Sequence, residues 1–131
     1  MVIDSSALIA ILLKEAEALT FAEAIAADPR RLISAFSVLE TSVVMETKKG
    51  EAGGRELDLL LHRAGIQTVS FDAEQAETAR RAFRRFGKGR HAAGLNVGDC
   101  CSYALSQQSG QALLFKGDDF SKTDVTRIGQ S

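Results

Sequence analysis

The chain has 131 residues, which suits one domain with a single hydrophobic core and is too short for two such domains. Hydrophobic residues make up 45% and charged residues 25%, with one proline and no tryptophan; this composition favours helices over an all-β sandwich. The net charge of −1 conceals a basic segment at residues 80–91, which holds six Lys or Arg side chains and no acid. An anionic partner would explain such a segment on an otherwise acidic chain.

The apolar runs and the cysteines exclude two further classes of protein. The longest apolar run is much shorter than the ~20 residues needed to cross a bilayer, and Asp4 interrupts the N-terminal run before a signal sequence could form. Cys100 and Cys101 are adjacent, so they cannot form a disulfide framework or a spaced zinc pair. We therefore expect a cytoplasmic protein with reduced thiols and no membrane segment.

Short strands and longer helices alternate along the sequence. The predicted strands are MVID, RLISA, IQTVSF and QALLF, with VTRIG near the end as a possible edge strand. The predicted helices are SSALIAILLKE, EAEALTFAEAIAAD, SVLETSVVMETKKG, RELDLLLHRAG, DAEQAETARRAFRRFG and DCCSYALSQQSG. Strands that alternate with helices in this way are typical of a parallel sheet covered by helices on both faces. The sequence thus predicts a single α/β domain over residues 1–131.

Residues that favour helix ends set the predicted boundaries. Ser5 or Ser6 would cap the first helix, because either hydroxyl could accept a bond from the first turn. Ser37, with Glu40 three residues later, has the pattern of a capping box. Gly53 and Gly54 would break the chain before the fourth helix. These boundaries place Glu40 in the first turn of the third helix.

Acidic side chains follow or open several of these elements. Asp4 ends the first strand, and Glu40 opens a helix; Asp118 and Asp119 follow the last strand. Ligands of open α/β sheets bind beyond the carboxyl ends of the strands, so we expect these acids at one edge of the sheet. Asp99 opens the last helix but follows no strand directly, so its place at that edge is a hypothesis from topology. Acids at helix starts are also favoured as caps, which is the simpler interpretation of Glu40 or Asp99 taken singly.

Carboxylates gathered at one point repel each other, so their pKa values rise unless a cation neutralises them. An all-oxygen site suits Mg²⁺ or Mn²⁺, whereas Zn²⁺ prefers His and Cys ligands. Two such ions can activate a water molecule and stabilise the leaving oxygen of a phosphodiester. The acids are therefore consistent with a Mg²⁺ or Mn²⁺ site that performs hydrolysis.

Four segments, in this order, resemble the PIN-domain family: MVIDSSAL at the start, SVLET, LNVGDCCSYALS and LLFKGDDFSKTDV. Within that family the likeness is to the VapC ribonuclease toxins of bacterial toxin–antitoxin pairs, and it extends from Met1 to about Val125. The resemblance implies a three-layer α/β sandwich with a central parallel sheet of four or five short strands. It also implies a Mg²⁺- or Mn²⁺-dependent endoribonuclease, a cognate VapB-type antitoxin and a homodimer.

The resemblance also implies roles for individual residues. The metal-binding and catalytic acids of the family, carried over residue by residue, fall on Asp4, Glu40, Asp99 and Asp119. Asp118 is a substitute for Asp119, because the acid doublet leaves the fourth position ambiguous. Supporting polar positions fall on Ser6 and Asn96. In the implied mechanism Asp4 and Asp99 are the main metal ligands, Glu40 takes a proton from the attacking water, and cleavage leaves a 5′ phosphate on the downstream product.

The basic segment supplies candidate contacts to RNA. Arg80 and Arg84 lie one helical turn apart, and Lys88 and Arg90 follow in a glycine-rich loop. Phosphate contacts from such residues give affinity that falls with salt and carries little sequence information. A solvated arginine-rich helix face is the simpler alternative for part of this segment.

Two other functions fit parts of the sequence. A phospho-acceptor receiver domain also has acids near strand ends, and Lys116 loosely suits it, but a receiver has paired acids after its first strand rather than a lone Asp4. A catalytically silent PIN-like module that binds RNA or a partner is the other alternative. Cleavage of RNA that depends on the acids separates the nuclease from both.

Overall fold

The computed structural model describes residues 1–128. Over these residues the chain forms four strands and six α-helices, in the order β1 (Val2–Ile3), α1 (Ser5–Leu12), α2 (Ala18–Ala27), β2 (Leu32–Ser34), α3 (Ala35–Lys49), α4 (Glu51–Arg63), β3 (Gln67–Val69), α5 (Ala73–Phe86), α6 (Val97–Ser109) and β4 (Leu113–Leu114). A 3₁₀ helix at Asp119–Lys122 follows β4. The predicted α/β class is confirmed.

The strands pair in the order β3-β2-β1-β4, and each pairing is parallel. Receiver domains place their first strand between the second and third, so the observed order argues against that alternative. Because all four strands point the same way, the residues that follow β1, β2 and β4 emerge at one edge of the sheet. The fold therefore gives the predicted acidic site one location, at the edge of the sheet where the strands end.

Alternation of side chains along the strands gives the sheet a core on each face. The strand residues on one face are Val2, Leu32 and Leu113, which pack with α5 and α6. Those on the other face are Ile3, Ile33 and Leu114, which pack with α1, α2 and α4. The two clusters make the molecule a three-layer sandwich with the sheet in the middle. None of the helices within residues 1–128 has the length and apolar character that a membrane-spanning helix requires.

Two helices begin earlier than predicted, so the predicted caps at Ser5, Ser6 and Ser37 are wrong. Asp4 caps α1, and Ser34 caps α3 by accepting a hydrogen bond from the backbone N–H of Phe36 at 3.2 Å. Each cap is the residue at the end of a strand, where the extended backbone and a short polar side chain already meet the needs of an N-cap. Each strand therefore enters its helix with no connecting loop.

Gly53 and Gly54 do not break the chain; both lie within α4, which begins at Glu51. Gly53 is buried against α3, where a Cβ atom would clash with the backbone carbonyl of Met45. The glycine therefore serves close helix packing rather than a turn. The predicted edge strand VTRIG is reduced to one parallel bridge between Leu113 and Arg127, and its Gly129 lies outside the described residues.

Candidate active site

Asp4 lies at the carboxyl end of β1 and is 2% exposed. Its backbone N–H donates to the carbonyl of Leu114 at 2.9 Å, which continues the pairing between β1 and β4. Its carboxylate accepts a hydrogen bond at each oxygen, from the Ser6 N–H at 3.0 Å and from the Ser102 hydroxyl at 2.5 Å. The buried carboxylate is thus held in one orientation by donors from two helices.

Glu40 lies in the second turn of α3, so it is not the acid of a capping box. Its Oε1 atom accepts a hydrogen bond from the Ser5 hydroxyl at 2.6 Å. The carboxylate lies against Gly98 of α6, where a Cβ atom would clash with both of its oxygens. Burial raises the pKa of Glu40, the Ser5 hydrogen bond lowers it, and the charge of Asp4 raises it again. A carboxylate with a raised pKa is a better proton acceptor, as general-base chemistry requires.

Asp99 is the third residue of α6 and forms a capping box with Asn96. The Asp99 N–H donates to Asn96 Oδ1 at 2.8 Å, and the Asn96 N–H donates to Asp99 Oδ2 at 3.1 Å. The capping motif predicted at Ser37 and Glu40 is therefore found here instead. It engages Oδ2 of Asp99 and orients the carboxyl group at the N-terminus of α6.

The electrostatics of Asp99 show that the acids converge. Burial is the largest cause of its raised pKa, which reaches about 7 despite the lowering effect of the Asn96 hydrogen bond. The charges of Asp4, Asp119 and Glu40 raise it further. Such repulsion requires the four carboxyl groups to lie close in space. The structure therefore brings the other three acids singled out in the sequence close to Asp99. They come from the end of β1 (Asp4), the second turn of α3 (Glu40) and the 3₁₀ helix after β4 (Asp119).

Asp118 and Asp119 differ in their relation to this cluster. Both are exposed, but among the two only Asp119 contributes to the repulsion that raises the pKa of Asp99. The segment that carries them is attached to α1, because the Lys116 N–H donates to the Ser6 hydroxyl oxygen at 3.0 Å. Ser6 therefore connects the end of β4 to the helix that Asp4 caps.

The donor set at this edge fits a hard divalent cation, because carboxylate oxygens dominate it and hydroxyl groups surround it. Over residues 1–128, no three His, Cys, Asp or Glu side chains are close enough together to enclose a metal ion. Mg²⁺ commonly binds through one or two carboxylates and keeps several waters, so a complete protein cage is not required. Asp4 and Asp99 could hold such an ion, with Glu40 and Asp119 beside them.

An apolar groove of about 430 Å³ lies between α5 and the start of α6. Its lining includes Cys100 and Cys101, and the charges of Asp99 and Glu40 contribute to the raised pKa values of these two thiols, about 11 and about 12. In both thiols burial is the largest cause of the shift. The groove therefore adjoins the acid cluster, and its cysteines are protonated at neutral pH.

The four basic residues singled out in the sequence are all exposed. Arg80 and Arg84 line the groove, and Arg80 also pairs with Glu77 at 2.9 Å. Lys88 and Arg90 lie in the loop between α5 and α6, where the Arg90 guanidinium stands 5.7 Å from the centre of the Phe83 ring. Arg80 and Arg84 thus line the same groove as Cys100, the residue after Asp99, and Lys88 and Arg90 follow in the loop that leads to α6.

Three residues at the site were not predicted to belong to it. Ser5 and Ser102 donate hydrogen bonds to Glu40 and Asp4, and Gly98 makes room for the Glu40 carboxylate. The only feature of the sequence that points to Gly98 is its position directly before Asp99, an acid at a helix start. Neither serine could be found from the sequence, because its partner lies 35 or 98 residues away along the chain.

The PIN domain family profile matches residues 1–125 of this chain. A protein named Ribonuclease VapC from Mycolicibacterium smegmatis is 59% identical over 128 residues, which cover 98% of this chain and 99% of that protein. The crystal structure of Mycobacterium tuberculosis VapC20, described as a sarcin-ricin loop cleaving toxin, superposes with a TM-score of 0.79 at 18% identity and covers 97% of both chains.

A third similar structure is VapBC2 from Rickettsia felis bound to a DNA fragment from its promoter, with a TM-score of 0.75 at 14% identity over 99% of this chain and 97% of that one. At such low identity, the two structural matches establish the fold alone. The family profile and the relative from M. smegmatis each extend over almost the whole chain, and they establish the family as well. This chain therefore belongs to the PIN-domain family, within its VapC group.

Proposed function

We propose that this protein is a Mg²⁺- or Mn²⁺-dependent endoribonuclease, the toxin of a VapBC-type toxin–antitoxin pair. The observation that carries the proposal is the convergence of four carboxyl groups at one sheet edge, close enough for repulsion to help raise the pKa of Asp99 to about 7. The name of the relative that is 59% identical supports RNA as the substrate class. Crowded acids of this kind are stabilised by a divalent cation, and that cation is the usual agent of phosphodiester hydrolysis.

Asp4 and Asp99 would hold the cation, and Asp119 would complete the site directly or through water. When bound, the cation supplies positive charge that stabilises the phosphate in the transition state and makes the attacking water more acidic. Asp4 is suited to this role because hydrogen bonds at both of its oxygens fix its orientation. Asp119 is favoured over Asp118 because of its effect on Asp99.

Glu40 would accept the proton of the attacking water. Ser5 holds one of its oxygens, and burial keeps its pKa above the ordinary value, so the carboxylate is oriented and basic. Attack in line on the phosphorus then expels the 3′ oxygen of the upstream nucleotide. The phosphate stays on the 5′ side of the downstream product, and the 2′ hydroxyl need not act as the nucleophile.

Arg80 and Arg84 would contact RNA phosphates beside the acids. Both are exposed and line the groove that Cys100, the residue after Asp99, also lines, so we expect a strand that crosses the acid cluster to come within their reach. Lys88 and Arg90 would extend this contact along the following loop. Because these contacts are made to phosphate, they would contribute affinity rather than sequence preference.

Exposed apolar side chains support the proposal of two protein partners, an antitoxin and a second copy of this chain. Leu19 on α2 is 70% exposed, and a VapB-type antitoxin would cover this face; the similar R. felis structure, which is of VapBC2, supports such a partner. Leu39 and Val43 lie one turn apart on α3 and are 61% and 56% exposed. We assign this second face to a homodimer, because exposed apolar patches mark interaction surfaces.

The test is cleavage of a mixed single-stranded RNA by purified protein with Mn²⁺, by the same protein with EDTA, and by Asp4→Asn and Asp99→Asn variants. We expect cleavage only with the ion, and a loss of at least about 100-fold in each variant, because removing a ligand should cost at least as much as the 10–100-fold loss from an outer-shell partner.

Asp118→Asn and Asp119→Asn form a matched pair that resolves the acid doublet. Asp119→Asn should reduce cleavage, whereas Asp118→Asn should cleave like the wild type. Undiminished cleavage by both Asp4→Asn and Asp99→Asn would contradict the proposal. RNA binding without cleavage by the wild type would support the silent module instead.

A further inference from the structure

Ser102 has an unusual hydrogen bond for a serine in the middle of a helix. Such residues commonly donate to the carbonyl four residues earlier. Ser109 in the same helix does so, with its hydroxyl 2.7 Å from the carbonyl of Leu105, and Thr41 of α3 donates to Ser37 in the same way. Ser102 donates instead to Oδ1 of Asp4, which is 98 residues away along the chain and 2.5 Å away in space.

The hydroxyl of Ser102 belongs to a short buried chain of hydroxyl groups. Its oxygen lies 3.3 Å from the Ser37 hydroxyl, and both residues are 0% exposed. A hydroxyl group has one hydrogen, and that of Ser102 is given to Asp4, so Ser37 must be the donor to Ser102. Each hydrogen bond in such a chain polarises the next, so the chain directs positive charge at the Asp4 carboxylate.

The position of Ser102 on α6 links Asp4 to Asp99. Ser102 lies three residues after Asp99, so the two side chains share one face of the helix. The hydrogen bond to Asp4 therefore ties the end of β1 to the same rigid helix that carries Asp99. The relative placement of these two carboxylates is set by one helical turn and one hydrogen bond.

We propose that Ser102 is a positioning residue for the cation site, because it holds Asp4 at a fixed distance from Asp99. Ser37 supports Ser102 by donating a hydrogen bond to its hydroxyl oxygen. This inference rests on the proposed cation site. Divalent cations need ligand oxygens at set positions, and residues that orient ligands typically change metal affinity by about 10–100-fold when they are removed. Ser102 thus affects cation binding without contacting the ion.

The test is calorimetric titration of Mn²⁺ into the metal-free full-length protein at pH 8. Ser102→Ala should weaken Mn²⁺ binding by about 10–100-fold, and Ser37→Ala by a smaller factor. Ser106→Ala is the matched control, because Ser106 is a buried serine of the same helix whose hydroxyl donates to the carbonyl of Gln111 at 2.7 Å, away from the acids. The Mn²⁺ affinity of Ser106→Ala should equal that of the wild type.

Thermal unfolding of each metal-free variant separates positioning from folding. Ser102→Ala and Ser106→Ala each lose one buried hydrogen bond, so both should be destabilised, but only the former should lose affinity. If Ser102→Ala fails to fold, Ser102→Cys fills the same space with a slightly larger side chain and a much weaker donor, and should show the same loss of affinity.

Three outcomes are distinguishable. Wild-type Mn²⁺ affinity in Ser102→Ala would overturn the inference and leave the proposed nuclease intact. Equal losses of affinity in Ser102→Ala and Ser106→Ala would also overturn it, because the effect would then follow from lost stability. If the wild type binds Mn²⁺ no better than Asp4→Asn, the cation site itself is refuted, and the inference is refuted with it.

Discussion

The acidic edge of the sheet and the basic surface of α5 are held in place by different means. At the acidic edge, Asp4 and Glu40 accept hydrogen bonds from hydroxyl groups on other elements, 98 and 35 residues away. On the basic surface, Arg80 pairs with Glu77 three residues away on the exposed face of the same helix. The first region is organised by buried tertiary hydrogen bonds. The second is organised by exposed ion pairs, of which one lies within the helix and one joins Arg85 to Asp124 at 3.2 Å.

This difference corresponds to the two tasks we propose. A cation and an attacking water must be placed accurately, so their ligands are buried and oriented by several donors. Phosphates along a flexible strand need only positive charge nearby, which exposed arginines supply without fixed geometry. Changes at the acidic edge should therefore reduce the rate of catalysis strongly, and changes on α5 should weaken binding mildly.

The largest contrast is expected from Glu40→Gln. Loss of a general base typically slows a reaction by about 10²–10⁴-fold, so kcat should fall within that range while KM stays close to the wild-type value. Multiple-turnover cleavage of a short RNA over a range of RNA concentrations measures both constants. A variant with unchanged kcat would show that Glu40 has no catalytic role, and Glu46→Gln is a control on the exposed face of the same helix.

A smaller, graded effect is expected from pH, because the pKa of metal-free Asp99 is raised to about 7. Cation binding requires the ionised carboxylate, so Mn²⁺ affinity should fall by up to about tenfold per pH unit below 7 and level off above it. The metal-free fold should show the opposite dependence. Since the folded state binds the Asp99 proton more tightly than the unfolded chain, this group stabilises the fold as pH falls from 7 towards 4.

Asp99→Asn is the control for both curves, and calorimetry and urea unfolding are the measurements. The variant should lose the part of the pH dependence of metal-free stability between pH 4 and 7 that Asp99 contributes, and keep the part that comes from the raised pKa of Glu40. An unchanged stability profile in the variant would mean that another group is responsible.

The smallest effect is expected on the basic surface. Arg84→Gln should raise KM a few-fold, leave kcat unchanged, and reduce the salt dependence of RNA binding by about 0.7 in log–log slope, the value for one lost phosphate contact to a single strand. Arg63→Gln is a control, because Arg63 is exposed at the end of α4, outside the basic segment. Equal salt slopes for wild type and Arg84→Gln would remove this residue from the RNA surface.

The same contrast explains how much the sequence could predict. Alternation of short strands with helices predicted the parallel sheet, and the positions of Asp4 and Asp119 after strands predicted their common edge. These are local patterns, and the parallel arrangement of the strands then brings the two acids to the same edge. Glu40 and Asp99 were noted as acids at helix starts, where capping was the simpler interpretation, and only the resemblance to a family assigned them to the site.

The wrong and missed predictions share a cause: the type of a residue does not reveal what its side chain contacts in the fold. Ser5 and Ser6 were predicted as caps from their type, but Asp4 reaches the first turn before them, and this leaves the Ser5 hydroxyl free to bind Glu40. Ser102 was not singled out, because its partner is brought close only by the tertiary fold. Gly53 was interpreted as a helix breaker, although it allows α4 to pack closely on α3.

The most direct test of the cation site is a crystal structure of the protein soaked in Mn²⁺, with data collected for the anomalous signal of that metal. We predict an anomalous peak within about 2–2.5 Å of a carboxylate oxygen of both Asp4 and Asp99. An anomalous map with no peak between these two residues, or with peaks only at other side chains, would contradict the account.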